Sequence, residues 1–80
     1  MGDFTYNVHA EDGRIVLEGV ITGAVSGAIN DAYAAAGTQA GVSLDCSGIE
    51  HVDIFGLNEL IKLRLRARAQ GRVLSATGVS

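Results

Sequence analysis

The chain has 80 residues, enough for one domain and too few for a second. Its formal net charge of −3 disfavours a nucleic-acid partner, and its single cysteine rules out an internal disulfide. No apolar run approaches the ~20 residues of a membrane span, so direct insertion into a bilayer is not expected. With one cysteine, no signal-peptide pattern and no Cys/His cluster at zinc-ligand spacing, the sequence reads as cytoplasmic, with no metal site. The 48% apolar share is that of a globular core rather than a disordered chain.

"FTYNVHA" opens the chain with a period of two. Phe4, Tyr6 and Val8 fall on one face and Thr5, Asn7 and His9 on the other, as in a half-buried strand. Asp12-Gly13 is a turn signal, because both residues tolerate positive φ. "RIVLEGVI" alternates again, with Ile15, Leu17, Gly19 and Ile21 facing one way. Two such strands around Asp-Gly predict a β-hairpin.

"TGAVSGAINDAYAAAG" changes period. Val25, Ile29, Ala32, Tyr33 and Ala36 recur at steps of three and four, which places them on one helical stripe. Gly23 and Gly27 weaken the first turns by ~1 kcal/mol each relative to alanine, and Gly37 is a natural C-terminal cap. The stripe is narrow and built of small residues, so this helix is expected to lie close to its sheet.

"GVSLDCS" predicts a third strand with Val42, Leu44 and Cys46 inward, Cys46 acting as a small core hydrophobe, and "GIEHVD" reads as the loop after it. From Phe55 to Gln70 the pattern is helical, with Leu57, Leu60, Ile61 and Leu65 as the apolar stripe and Gly71 as the stop. "RVLSATGVS" closes the chain as a short fourth strand. The expected fold is α/β in the order β-β-α-β-α-β, a four-stranded mixed sheet with two helices packed on one face. An edge left uncovered in such a sheet invites pairing with another chain.

The junction "EHVDIFGLNEL" carries the functional question. Asp53 precedes the helix, so its carboxylate is placed to accept from the free N–H groups of Phe55 and Gly56. Ile54 is then the first helical residue, at the positive end of the helix dipole, where a phosphate is held well. A serine at that position reads as a phosphorylation switch; this chain has isoleucine.

"LEGVITG", "VSLDCSGIEHVD", "GLNELIKLRLRARAQG" and "RVLSATGVS" together resemble the STAS domain, the fold of the bacterial anti-sigma factor antagonists. Typical members read roughly L-x-G-x-L/D before the first helix, then D-L-S-G-V, then x-x-D-S-S-G-L, then a helix rich in leucine and arginine. Gly19, Asp45, Ser47, Gly48, Asp53, Gly56 and Leu57 fall in those places in order and without evident gaps. Family members usually continue beyond "GVS" into one or two further helices and another strand. The expectation is therefore a single STAS-like domain over residues 1–80, either minimal or shortened at its C-terminus.

The resemblance implies a non-enzymatic module whose unmodified form binds an anti-sigma factor, often a kinase, and which that kinase switches off by phosphorylating the first serine of D-S-S-G. Here the two serine positions are Ile54 and Phe55, neither of which takes a phosphate, and nothing supports moving the switch to Ser43 or Ser47. The expected role is in bacterial transcription regulation or signalling, by constitutive protein binding through Asp53, Ile54, Phe55, Gly56, Leu57 and Asn58, with no cofactor. Two alternatives stand beside it: a scaffold or transporter-associated STAS subunit acting by self-assembly, and a small-ligand or nucleotide sensor. Against the sensor, "GAVSGA" lacks the lysine and spacing of a phosphate-binding loop. Against an enzyme, His51 lies near Asp53 but no third group orients the pair and no nucleophile stands in the motif.

Two side-chain questions stay open in the sequence. Ile54 and Phe55 either tuck under the helix or form an exposed apolar anchor. Lys62, Arg64, Arg66, Arg68 and Arg72 hold five of the six Lys/Arg residues and read as a solvated helix face. Arg64 and Arg68 share the angular span of the Leu57 stripe; their stems either snorkel past the sheet's end or meet a second chain.

Overall fold

The computed structural model describes residues 5–11, 13–36 and 41–78. The elements are β1 (Tyr6–Glu11), β2 (Arg14–Ile21), a 3-10 turn at Gly23–Val25, α1 (Ser26–Ala35), β3 (Gly41–Val52), α2 (Ile54–Ala69) and β4 (Val73–Thr77). Phe4, Asp12 and Gly37, to which the sequence assigned a strand position, a turn and a cap, lie outside the described residues. The strand order is β1-β2-β3-β4, with β1 antiparallel to β2 and both other pairs parallel. Each parallel step is bridged by a helix, and both helices cover the same face of the sheet.

The hairpin forms as its alternation dictates, from the Glu11–Arg14 pair to the Tyr6–Gly19 pair. Gly19 adopts φ +84°, and a Cβ there would stand 3.1 Å from the Tyr6 Cα, so only glycine allows β1 to close over this kink. The register between β2 and β3 shifts on either side of the same place, between Val16 and Glu18 and between Gly19 and Val20.

One contiguous core lies under the helices. Ile15, Leu17 and Ile21 from β2, Val42 and Leu44 from β3, and Val25, Ile29, Ala32, Tyr33 and Ala36 from the first helical segment are all buried in it. Thr22 accepts from the Ala24 N–H at 3.2 Å and starts the 3-10 turn that absorbs the weak glycine-rich opening of the helix. The opposite face, by strand alternation, carries Arg14, Ser43 and Asp45, and Arg14 pairs there with Asp45.

Two expectations are corrected. "GIEHVD" is not a loop: β3 continues through Ser47, Gly48, Ile49, Glu50 and His51 to Val52, and Ile49 and Val52 pack against the core. The irregular alternation of those residues, produced by the register shifts against β2, is what disguised the strand.

The second correction concerns α2. Its buried residues are Gly56, Leu63 and Ala67, with Leu60 half-buried beside them. Leu57, Ile61 and Leu65 remain 49%, 46% and 59% exposed. Gly56 and Ala67 let the helix axis approach the sheet, with Leu63 buried on the same face between them, and the Leu57-Ile61-Leu65 stripe is turned outward. Only Leu60 of the expected stripe meets the core.

Tyr33 ties the two helices together. Its buried ring lies under the guanidinium groups of Arg66 and Arg72, 4.8 and 4.7 Å from the centroid, and its hydroxyl donates to Gln70 Oε1 at 2.6 Å. Arg66 also donates to Asn30 Oδ1 at 3.1 Å, and Lys62 pairs with Glu59 at 3.1 Å. The basic cluster is thus divided between structural contacts and an exposed remainder that includes Arg64 and Arg68.

Candidate functional site: the start of α2

The β3–α2 junction is built from backbone contacts outward. The Asp53 N–H donates to the Ile21 carbonyl at 3.1 Å, which fastens the junction to the end of β2. The Asp53 carboxylate turns back and accepts from the Gly56 N–H at 2.7 Å, and its carbonyl takes the first helical bond, from Leu57, at 2.9 Å. Asp53 is therefore the cap that the sequence predicts, satisfying one of the free donors of the first turn. Its expected second acceptance, from Phe55, is not among the bonds formed by the described residues.

Gly56 lies against the same point of β2. A Cβ on it would stand 2.6 Å from the Ile21 carbonyl carbon and closer still to the oxygen. The D-x-x-G spacing is thus a single structural unit in which the aspartate closes the turn and the glycine lets it rest on the strand end.

That arrangement decides which residues are presented. Gly56 is buried and Asp53 is half-buried and engaged, whereas Ile54 and Phe55 are 68% and 65% exposed. Of the two readings of this pair, packing under the helix is excluded. The Phe55 Cβ passes close to Gly23, and its ring projects outward. Leu57 and Asn58 are exposed in the next turn, so the six residues of the expected surface divide into a two-residue support and a four-residue display. His51 is exposed on β3, and no hydrogen bond or ion pair joins it to Asp53 among the described residues.

On the side of α2 facing β4, an apolar groove of about 980 Å³ runs between the helix and the sheet edge. Ile54, Leu57, Leu60 and Ile61 form one wall, Ile49 and Val52 line the β3 side, and Leu74 and Ala76 line β4. Sequence reasoning missed this groove. The signal was present in the Leu57-Ile61-Leu65 spacing, but it was assigned to the core.

Among the described residues three ionisable groups are shifted: Glu59 in α2, lowered first by a hydrogen bond from Ser26 and then by Lys62, and Asp45 and Cys46 in the middle of β3. Asp45 is lowered to about 2 by hydrogen bonds from the Ser47 hydroxyl and N–H, at 2.6 and 3.1 Å, and by the Arg14 guanidinium. Cys46 is raised, first by burial and then by the neighbouring Asp45 charge, which leaves less of the reactive thiolate at a given pH. Among the described residues no group of three or more His, Cys, Asp or Glu is placed to hold a metal ion, and no helix is long and apolar enough to cross a membrane.

The fold and the junction define the class: a small mixed-sheet α/β domain in which a capped helix start is held rigidly at the end of a strand. The chain belongs to the STAS family, matching over residues 4–80 the family described as "Mlab, STAS domain". It is similar to the antisigma-factor antagonist STAS domain from Rhodobacter sphaeroides, with a TM-score of 0.59 and 18% identity over 92% of this chain and 85% of that one. It is also similar to the crystal structure of Mglu, with a TM-score of 0.58 and 23% identity over 89% of this chain, and spans 19% of that much longer chain. At these identities the likeness to both structures is one of fold. No curated protein matches the sequence.

Proposed function

We propose that this domain is a non-enzymatic protein-binding module that docks a regulator, of the anti-sigma factor or kinase-like class, through the start of α2. The observation that carries the reading is the exposure of Ile54 and Phe55 on a junction whose backbone is fixed by Asp53 and Gly56. An aliphatic and an aromatic side chain on a rigid ridge lose little conformational freedom on docking and offer the apolar anchor typical of interface hot spots. The family's phosphorylation position is held by Ile54, so binding is not released by phosphate at that residue. Leu57 and Asn58 extend the same surface.

Affinity capture from the source cell, with the wild-type domain and a double variant Ile54→Ser, Phe55→Ser in parallel, tests the reading. The expected result is an identified regulatory protein held by the wild type and lost with the variant, while both domains unfold at the same urea midpoint. Equal capture by both overturns it.

A further inference from the structure

The outward side of α2 carries a second periodicity. Ile54, Asn58, Ile61, Leu65 and Arg68 recur at alternating steps of four and three, and all are exposed. That is the spacing of a coiled-coil seam, with Ile54, Ile61 and Arg68 in one of its two repeating positions and Asn58 and Leu65 in the other. Leu57 and Arg64 flank the seam on the side of the groove, Phe55 and Lys62 on the side of α1.

The seam changes character along its length. Its first half, continuous with the junction, is apolar apart from Asn58. Arg64 and Arg68 stand in its second half, about 15 and about 21 Å from Ile54 at 1.5 Å per residue. Neither has a hydrogen bond or ion pair among the described residues. Glu59, the only acidic residue of the helix, lies on the flank toward α1, where it accepts from Ser26 and pairs with Lys62. The far end of the seam is therefore positive without a compensating carboxylate on α2.

We propose that the regulator contributes an amphipathic helix lying antiparallel along this seam. Carboxylates in its first turns meet Arg64 and Arg68, and apolar residues beyond them meet Ile61 and Ile54. The regulator is the one proposed to dock on the junction, so this helix rests on that reading and extends its contact along α2. A line one side chain wide, at coiled-coil spacing, fits a helix, whereas a lipid surface gains from a broad apolar face. A second copy of the chain would bring the same seam, which holds no carboxylate to meet the arginines. The antiparallel direction sets the partner's carboxylates at the positive end of their own helix dipole. Asn58 fixes the register, as a single polar residue in such a seam does.

Photocrosslinking in the source cell tests the proposal, with a benzophenone side chain placed at Phe55 in one protein and at Leu65 in another. Both are expected to join the same regulator. The Leu65 crosslink maps about ten residues before the Phe55 crosslink in the regulator's sequence, the count that spans the same length of helix, with Asp or Glu within one turn of it. Arg64→Glu with Arg68→Glu lowers the Phe55 crosslink yield at least about tenfold, and lysines at the mapped acidic positions restore it. A regulator joined at Phe55 while Leu65 joins lipid, a second copy or nothing overturns the helix and leaves the docking surface standing. So does the opposite order of crosslinks, or a yield that the charge variant leaves unchanged. No regulator at Phe55 removes the docking surface, and this helix with it. Should the double variant lose its cooperative unfolding transition, Arg64→Gln with Arg68→Gln replaces it: a fall in yield supports the contact and an unchanged yield overturns it.

Discussion

Gly56 in α2 and Ile21 at the end of β2 meet backbone to backbone, with no room between them for a methyl group. The same Ile21 carbonyl accepts the Asp53 N–H, so one point on β2 fixes both the end of β3 and the start of α2. Gly56→Ala forces the helix off the strand and is expected to destabilise the domain by about 3 kcal/mol, towards the upper end of the overpacking range. Asp53→Ala removes only the cap, at about 1 kcal/mol. Urea unfolding at constant m-value measures both, and a smaller effect for Gly56→Ala than for Asp53→Ala contradicts the geometry.

Ile54 and Phe55 sit on top of this support rather than within it. Single serine substitutions at either are expected to move stability by no more than about 0.5 kcal/mol, the range of exposed positions away from special features. A loss comparable to that of Gly56→Ala at either residue shows that the side chain packs inward.

Much of this was legible in the sequence and the failures have physical causes. The hairpin was readable because alternation and a turn signal agree, and the α1 stripe because Val25, Ile29, Ala32, Tyr33 and Ala36 offer no competing apolar face. In α2 two stripes compete. Hydropathy favours Leu57, Ile61 and Leu65, but the approach of the helix to Ile21 requires Gly56 to face the sheet, and Leu63 and Ala67 share its face. Apolar periodicity weights size and so chose wrongly. The second half of β3 was hidden because bulges break its period of two. The cap and the glycine of the junction were readable from their D-x-x-G spacing; the exposure of Ile54 and Phe55 was not, because it follows from the orientation of the whole helix.

Tyr33 offers a test of the contact between the helix ends. Tyr33→Phe keeps the ring under Arg66 and Arg72 but deletes the bond to Gln70 Oε1. The expected loss is about 1 kcal/mol, the net value of one intramolecular hydrogen bond. No change in the thermal midpoint means that the hydroxyl is equally well served by water.

Asp45 sets an acid limb. Its folded pKa of about 2 lies below the value of about 3.9 of an unfolded aspartate. The unfolded chain therefore binds more protons between these values, and stability rises with pH across that window. The contribution is complete above about pH 4 and is lost as pH falls through about 2, as follows from the ordinary aspartate value and the depressed one. Asp45→Asn is expected to flatten the stability–pH curve in this interval. An unchanged slope there assigns the acid limb to other carboxylates.

The same carboxylate bears on Cys46, whose thiol is raised first by burial and second by the Asp45 charge. A raised thiol pKa leaves less thiolate at a given pH, and the thiolate is the reactive form. Folded protein at about pH 8 is expected to react with iodoacetamide more slowly than the same chain in urea, where the cysteine returns to an ordinary value of about 8.5. Asp45→Asn removes the smaller of the two causes, so it should quicken alkylation of the folded state without reaching the urea rate. Equal rates for folded and unfolded wild type show that Cys46 is neither sheltered nor shifted. Equal rates for the folded variant and folded wild type assign the whole effect to burial.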